Sequence, residues 1–263
     1  MQTVSSADGT TIAFDQLGSG PPLILVAGAS CDRGQDQPIA DALARDFTVL
    51  NHDRRGRGDS SDATSPTTYA VERELEDLAV LLDAAGGGAV VVGLSSGGAL
   101  AGRAATAGLP VRQLVMWEPP FQVDPAGQQG SRDYQERLNA LLAEDRRGDA
   151  LALFMSIAGV PEEMVAGARQ SPWWPVGEGL AHTLAYDAAV MGDASVPTAY
   201  ADIRCPALVL TGGDSPPFFA AGAAVAAAAI PGGSAGVLAA QTHNVDAGVL
   251  AAAVRDFVQE TAS

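Results

Sequence analysis

Runs suited to buried strands alternate with amphipathic stretches along most of this chain. Thr11–Asp15 alternates polar and apolar side chains, the pattern of a half-buried strand, and Pro21-Pro22 leads into Leu23–Val26, an apolar run suited to a central strand. A short helix is predicted over Ile39–Asp46 and a third strand over Phe47–Leu50. Tyr69–Ala85 places Val71, Leu75, Leu78 and Leu82 on one helical face. Val90–Val92 is a β-branched run, read as a strand buried on both faces, and Ala99–Ala107 follows as a close-packed helix of small residues. Val111–Trp117, Ala207–Thr211 and Gly236–Ala239 read as further strands, with helices over Ala220–Ala229 and Ala247–Gln259. Strand and helix in turn imply an α/β fold around a mostly parallel sheet.

The alternation breaks once. Between Phe121 and Pro197 there is no strand-like run, only helical stretches such as Tyr134–Arg147 and Ala150–Ile157, interrupted by Pro161, Pro172 and Pro175. This reads as a helical cap, residues 121–197, inserted into a single domain whose core is residues 1–120 and 198–263. Inserts at the carboxyl ends of parallel strands lie where ligands bind, so the cap is expected to roof the site and select the substrate. Trp173 and Trp174, flanked by Pro172 and Pro175, either line an apolar pocket there or pin the cap to the core.

Charge narrows the partners. Lys and Arg total 15 against 31 Asp and Glu, a formal net charge of -16, so a nucleic-acid backbone would be repelled. The first residues, Met1–Asp8, carry no basic region followed by an apolar run, and no segment is apolar for long enough to span a membrane. A soluble cytoplasmic protein with neither nucleic-acid nor membrane partners is the expectation. Cys31 and Cys205 are too few and too far apart for a zinc site or a disulfide scaffold, and no metal is expected. Cys31 follows a candidate catalytic loop and stays a possible lining residue.

The sharpest chemical signal is Gly93-Leu94-Ser95-Ser96-Gly97, a GxSxG sequence between the valine strand and the small-residue helix. A strand that reverses into a helix at one residue strains that residue and demands tiny neighbours, which Gly93 and Gly97 supply. Ser95 is thereby nominated as a nucleophile, and the N–H of Ser96, at the helix N-terminus, as an oxyanion donor. A second donor is expected from Ala29 in Ala27-Gly28-Ala29-Ser30, where Gly28 lets backbone approach substrate. An elbow serine needs a base and an acid to orient it, in the chain order serine, acid, histidine. Of His52, His182 and His243, only His243 lies after the last strand and before the final helix. Two carboxylates end neighbouring strands: Asp214, after Leu208–Thr211, is the favoured orienter, and Glu118, after Val111–Trp117, is the alternative. The arginine-rich run Asp53–Ser60 reads as architecture that ties its loop to the sheet edge.

These segments resemble the α/β-hydrolase superfamily over nearly the whole chain, and look most like small esterases and non-haem haloperoxidase-like hydrolases. The segments that match, in order, are Ala27-Gly28-Ala29, Asp53–Ser60, the GxSxG elbow, and the late Asp214 and His243. The resemblance implies an α/β-hydrolase fold with a mostly parallel eight-stranded sheet, a Ser-His-acid triad, no cofactor and an acyl-enzyme. Two positions depart from the pattern: Ala27 and Leu94 stand where histidine is frequent, which alters pocket polarity but no catalytic role. A serine at the elbow argues against the epoxide hydrolase and haloalkane dehalogenase branches, which use aspartate there. The expected activity is cleavage of an ester, lactone or related acyl bond in a small to moderate, apolar molecule, with Gly28, Leu94, Trp173 and Trp174 as substrate-binding candidates. Two alternatives stay open: a non-hydrolytic member that binds or rearranges a metabolite, and a cofactor-free perhydrolase.

Overall fold

A computed structural model describes residues 1–64 and 67–262; residues 65, 66 and 263, assigned above to the core, lie outside the described residues. Eight strands form one sheet in the order β1-β2-β4-β3-β5-β6-β7-β8. The strands are β1 (Gln2–Ser5), β2 (Thr11–Leu17), β3 (Pro22–Val26), β4 (Thr48–His52), β5 (Ala89–Leu94), β6 (Val111–Trp117), β7 (Ala207–Gly212) and β8 (Gly233–Leu238). β1 and β2 pair antiparallel with each other, and β2 pairs antiparallel with β4. From β4 through β8 every pairing is parallel.

Alternate residues of the central strands feed two cores, as the two faces of a pleated strand require. Leu23, Leu25, Val90 and Val92 join residues of α1 (Gln37–Leu43) and α10 (Ala247–Thr261) on one face. Ile24, Val26 and Val91 join α2 (Val71–Ala84), α3 (Ser96–Thr106) and α9 (Pro217–Ala229) on the other. Between β6 and β7 run α4 (Pro125–Ala143), α5 (Arg147–Ile157), α6 (Glu162–Ala168), α7 (Trp174–Leu180) and α8 (Leu184–Met191). This helical insertion has its own apolar cluster of Leu138, Leu151, Leu153, Trp174 and Leu184, against which Ala29 packs.

Some bounds differ from the sequence expectation, each for a physical reason. β1 is a short edge strand of mostly exposed residues, Gln2-Thr3-Val4-Ser5, so no apolar run announced it. β8 starts three residues before Gly236, in a Gly-Ser-Ala stretch with little apolar signal. α4 begins at Pro125, well before Tyr134, because Asp124 accepts the Gly127 N–H at 2.9 Å and Pro occupies the first turn. It stops at Ala143, where Asp145 turns the chain with φ 54°. Among the described residues, no helix is long and apolar enough to cross a membrane.

Candidate active site

The turn from β5 to α3 has the strain that the glycines implied. Ser95 sits at φ 52°, ψ -124°, in backbone space that non-glycine residues rarely occupy. A Cβ on Gly93 would lie 2.3 Å from Gly97 O, and one on Gly97 would lie 2.4 Å from Val26 O, so neither position admits a side chain. Ser95 stands at the N-cap of α3, yet its hydroxyl makes no capping bond to the helix. Its N–H donates to Trp117 O at 2.8 Å and its carbonyl accepts from Gly98 N–H at 2.9 Å.

The end of β6 reaches both partners of the candidate triad. Glu118, fully buried and at φ 43°, directs its carboxylate to His243, with Nδ1 to Oε2 at 2.7 Å. The other oxygen accepts from Gly212 N–H at 2.7 Å and from Thr211 Oγ1 at 3.0 Å. Burial alone would raise this carboxyl; the hydrogen bonds from His243, Gly212 and Thr211 outweigh it and hold the pKa below the usual glutamate value. Glu118 is thus ionised at neutral pH and can only accept, so the Nδ1 facing it donates. Trp117 Nε1 donates to His243 O at 3.0 Å, and Phe219 stacks on the imidazole with centroids 5.0 Å apart. Ser95 is therefore bonded to Trp117, and His243 to Trp117 and to the next residue, Glu118.

Asp214, favoured as orienter from the sequence, is not the carboxylate on His243. It is exposed, and its place is set by its own N–H, which donates to Gln241 O at 2.9 Å. Both acids end neighbouring strands; the positive φ at Glu118 and the Gly212 N–H decide which carboxylate faces the histidine.

Gly28 lies beside Ser95, where an added Cβ would be 3.2 Å from Ser95 Cβ. The N–H groups of Ala29 and Ser96 have no protein partner among the described residues. Leu94 contributes its side chain to the core cluster that also holds Trp117, Leu210 and Leu250, not to an open cleft. Trp174 is buried in the cluster of the insertion, with Arg169 5.1 Å above its ring, while the neighbouring Trp173 is half-exposed. Cys31 is half-buried, and burial followed by the Asp36 carboxylate pushes its thiol up to about 12, so it is not a nucleophile at neutral pH.

The remaining histidines stand apart. His52 is buried, and burial together with the nearby Arg54 cation lowers its pKa to about 4. His182 bonds Gly179 O through Nδ1 at 3.0 Å and lines an open polar cleft with Asp62, Arg147 and Tyr186. Among the described residues no group of three or more His, Cys, Asp or Glu is arranged to hold a metal ion.

Sequence reasoning missed one set of residues here. Arg54 and Arg57, read as ties to the sheet edge, also run to Asp187 on α8, at 2.6 and 2.7 Å, and Ser96 Oγ donates to the same carboxylate at 2.8 Å. The signal was present: Asp187 interrupts Leu184-Ala185-Tyr186 and Ala188-Ala189-Val190, and an acid buried in an apolar helix requires partners. A further residue near the site is Tyr134, which packs on the cluster that Ala29 touches.

The comparisons with known proteins agree with this fold. The sequence profile of the Alpha/beta hydrolase family matches residues 23–259. An alpha/beta hydrolase of known structure from Sphaerobacter thermophilus is 49% identical, with a TM-score of 0.87 over 97% of this chain and 99% of that one. The pimeloyl-[acyl-carrier protein] methyl ester esterase of Xanthomonas campestris is 31% identical over 154 residues, which is 53% of this chain and 58% of that protein. The uncharacterized hydrolase YraK of Bacillus subtilis is 36% identical over 74 residues, 27% of its length, so the chain spans less than two thirds of either curated relative. By the extent of the family match and the eight-stranded sheet beneath it, the chain belongs to the alpha/beta hydrolase family.

Proposed function

We propose that this protein is a serine hydrolase of carboxylic esters, lactones or related acyl compounds. The observation that carries the proposal is the attachment of Ser95 and His243 to Trp117-Glu118, with the Glu118 carboxylate on Nδ1 of the imidazole. In this reading Ser95 Oγ attacks the carbonyl carbon while His243 Nε2 takes its proton. Glu118, in the role that the sequence favoured for Asp214, fixes the tautomer and stabilises the imidazolium. The N–H groups of Ala29 and Ser96 receive the developing oxyanion. Collapse expels the alcohol, protonated by His243, and leaves an acyl-serine. Water then attacks that ester, giving its proton to His243, and the carboxylic acid leaves with Ser95 restored.

The helical insertion is read as a cap over this centre. Its apolar cluster packs against Ala29, which supports an apolar acyl or alcohol portion in the substrate. The methyl ester esterase among the partial relatives supports the ester class. The test is hydrolysis of p-nitrophenyl esters from acetate to octanoate by wild type and by Ser95→Ala. Turnover that falls by several orders of magnitude in the variant supports the reading, and the preferred chain length reports the depth of the apolar wall. Turnover that survives in Ser95→Ala refutes it.

A further inference from the structure

The loop that offers the Ala29 N–H is gripped from behind by its carbonyl oxygens. Arg54 Nη1 donates to Ala27 O at 3.2 Å, and Arg57 Nη1 donates to Gly28 O at 2.6 Å and Cys31 O at 3.2 Å. Both guanidiniums converge on Asp187, which also accepts the Ser96 hydroxyl. Glu74 takes the other edge of Arg54 at 2.6 and 2.7 Å, so two cations face two carboxylates, all buried. Such a network is costly to desolvate and is weak evidence for stability as such. None of its charged groups belongs to the proposed triad.

Peptide geometry supplies its role. In a trans peptide the C=O of one residue and the N–H of the next point in opposite directions, and no cis peptide bond occurs among the described residues. Holding Gly28 O on Arg57 therefore aims the Ala29 N–H away from the arginine. A charged donor on the carbonyl also polarises the peptide and strengthens that N–H. On the other side of the site, Gly98 holds the Ser95 carbonyl at 2.9 Å and so orients the Ser96 N–H, while Asp187 holds the Ser96 side chain. One carboxylate from the insertion thus connects both amide donors.

We infer that Arg57 and Asp187 are positioning residues for the oxyanion site. Arg57 sets the Gly28–Ala29 peptide, and Asp187 orients both Arg57 and Ser96. The site is then complete only when α8 is seated on the core, so the insertion contributes to catalysis as well as covering the substrate. This rests on the assignment of Ser95 as nucleophile.

The test uses the full chain with Arg57→Met, Arg57→Lys and Asp187→Asn, each normalised to the serine sites that a fluorophosphonate labels at completion. Readouts are kcat and KM for a p-nitrophenyl ester, and inhibition by a trifluoromethyl ketone, whose serine adduct carries an oxyanion, against inhibition by the free product acid. The expected result is a fall in kcat of about tenfold to hundredfold for Arg57→Met and Asp187→Asn, since removing an oxyanion donor outright costs about 10²–10³. KM and product inhibition stay within threefold, ketone affinity falls in parallel with kcat/KM, and Arg57→Lys recovers part of the loss. Arg57→Lys and Asp187→Asn carry the test if Arg57→Met does not fold. Per-site kcat within threefold in Asp187→Asn, or a loss confined to KM, overturns the inference while leaving the serine hydrolase standing. Failure of wild-type Ser95 to label overturns both.

Discussion

Exchange of Glu118 for glutamine separates the two candidate acids by chemistry rather than by shape. In the protein, one Glu118 oxygen is held by Gly212 N–H at 2.7 Å and Thr211 Oγ1 at 3.0 Å, and the other faces His243 Nδ1 at 2.7 Å. In Glu118→Gln the amide oxygen must keep the Gly212 side, because a backbone N–H only donates. The amide NH₂ then faces Nδ1 and forces it to accept, which moves the imidazole proton to Nε2. A histidine protonated there cannot take the proton of Ser95. Loss of the correct tautomer in a serine protease triad costs about 10⁴ in kcat, or about 5 kcal/mol at roughly 1.36 kcal/mol per decade. Asp214→Asn, at an exposed position outside this network, is expected to leave kcat within threefold. The assay is steady-state hydrolysis of a p-nitrophenyl ester, with a thermal melt to show that each variant is folded. Activity above a tenth of wild type in folded Glu118→Gln, or a hundredfold loss in Asp214→Asn, refutes the reasoning.

Gly97→Ala places a Cβ 2.4 Å from Val26 O and 2.5 Å from Ala27 O, so the elbow and the loop after β3 must separate. The expected outcome is a loss of roughly 1–3 kcal/mol in urea unfolding together with most of the fluorophosphonate-reactive sites. Trp174→Ala opens the buried cluster of the insertion and should cost about 3–5 kcal/mol, whereas Trp173→Ala, half-exposed, should change the melting temperature little. Two buried groups give opposing pH dependences. His52, lowered by burial from 6.5 to about 4, is neutral in the fold while the unfolded chain binds a proton, so its contribution to stability rises with pH across that window. Asp36, raised by burial from 3.8 to about 7, binds a proton in the fold that the unfolded chain lacks, so its contribution falls as pH rises. Each is worth roughly 3–4 kcal/mol over its window. Urea unfolding between pH 4 and 7 should therefore slope downward with pH in His52→Gln and upward in Asp36→Asn, relative to wild type; unchanged slopes contradict both assignments.

How far the sequence reveals an element follows from what its residues contact. Strand segments buried on both faces, such as Val90–Val92 and Leu114–Trp117, must be apolar along their length, so local composition reveals them. The edge strands β1 and β8 lie half in solvent and carry polar or small residues, so composition does not reveal β1 and reveals only the later part of β8. The elbow was legible because the close approach of α3 to β3 and β5 leaves no room for a Cβ, which writes glycine into the chain on both sides of Ser95. The choice between Asp214 and Glu118 was not legible, since both end strands at the same sheet edge and the direction is settled by the backbone turn at Glu118 and the Gly212 N–H. Arg57 and Asp187 are 130 residues apart, and a pairing over that separation leaves no local pattern beyond the buried acid itself.

The central claim is that Ser95 is an activated nucleophile, and the most direct measurement is intact and peptide-level mass spectrometry after reaction with a fluorophosphonate. The expected result is a single adduct on Ser95 in wild type, none in Ser95→Ala, and much slower labelling in His243→Ala. An unlabelled Ser95 in folded wild type, or an adduct that forms equally fast without His243, would contradict it.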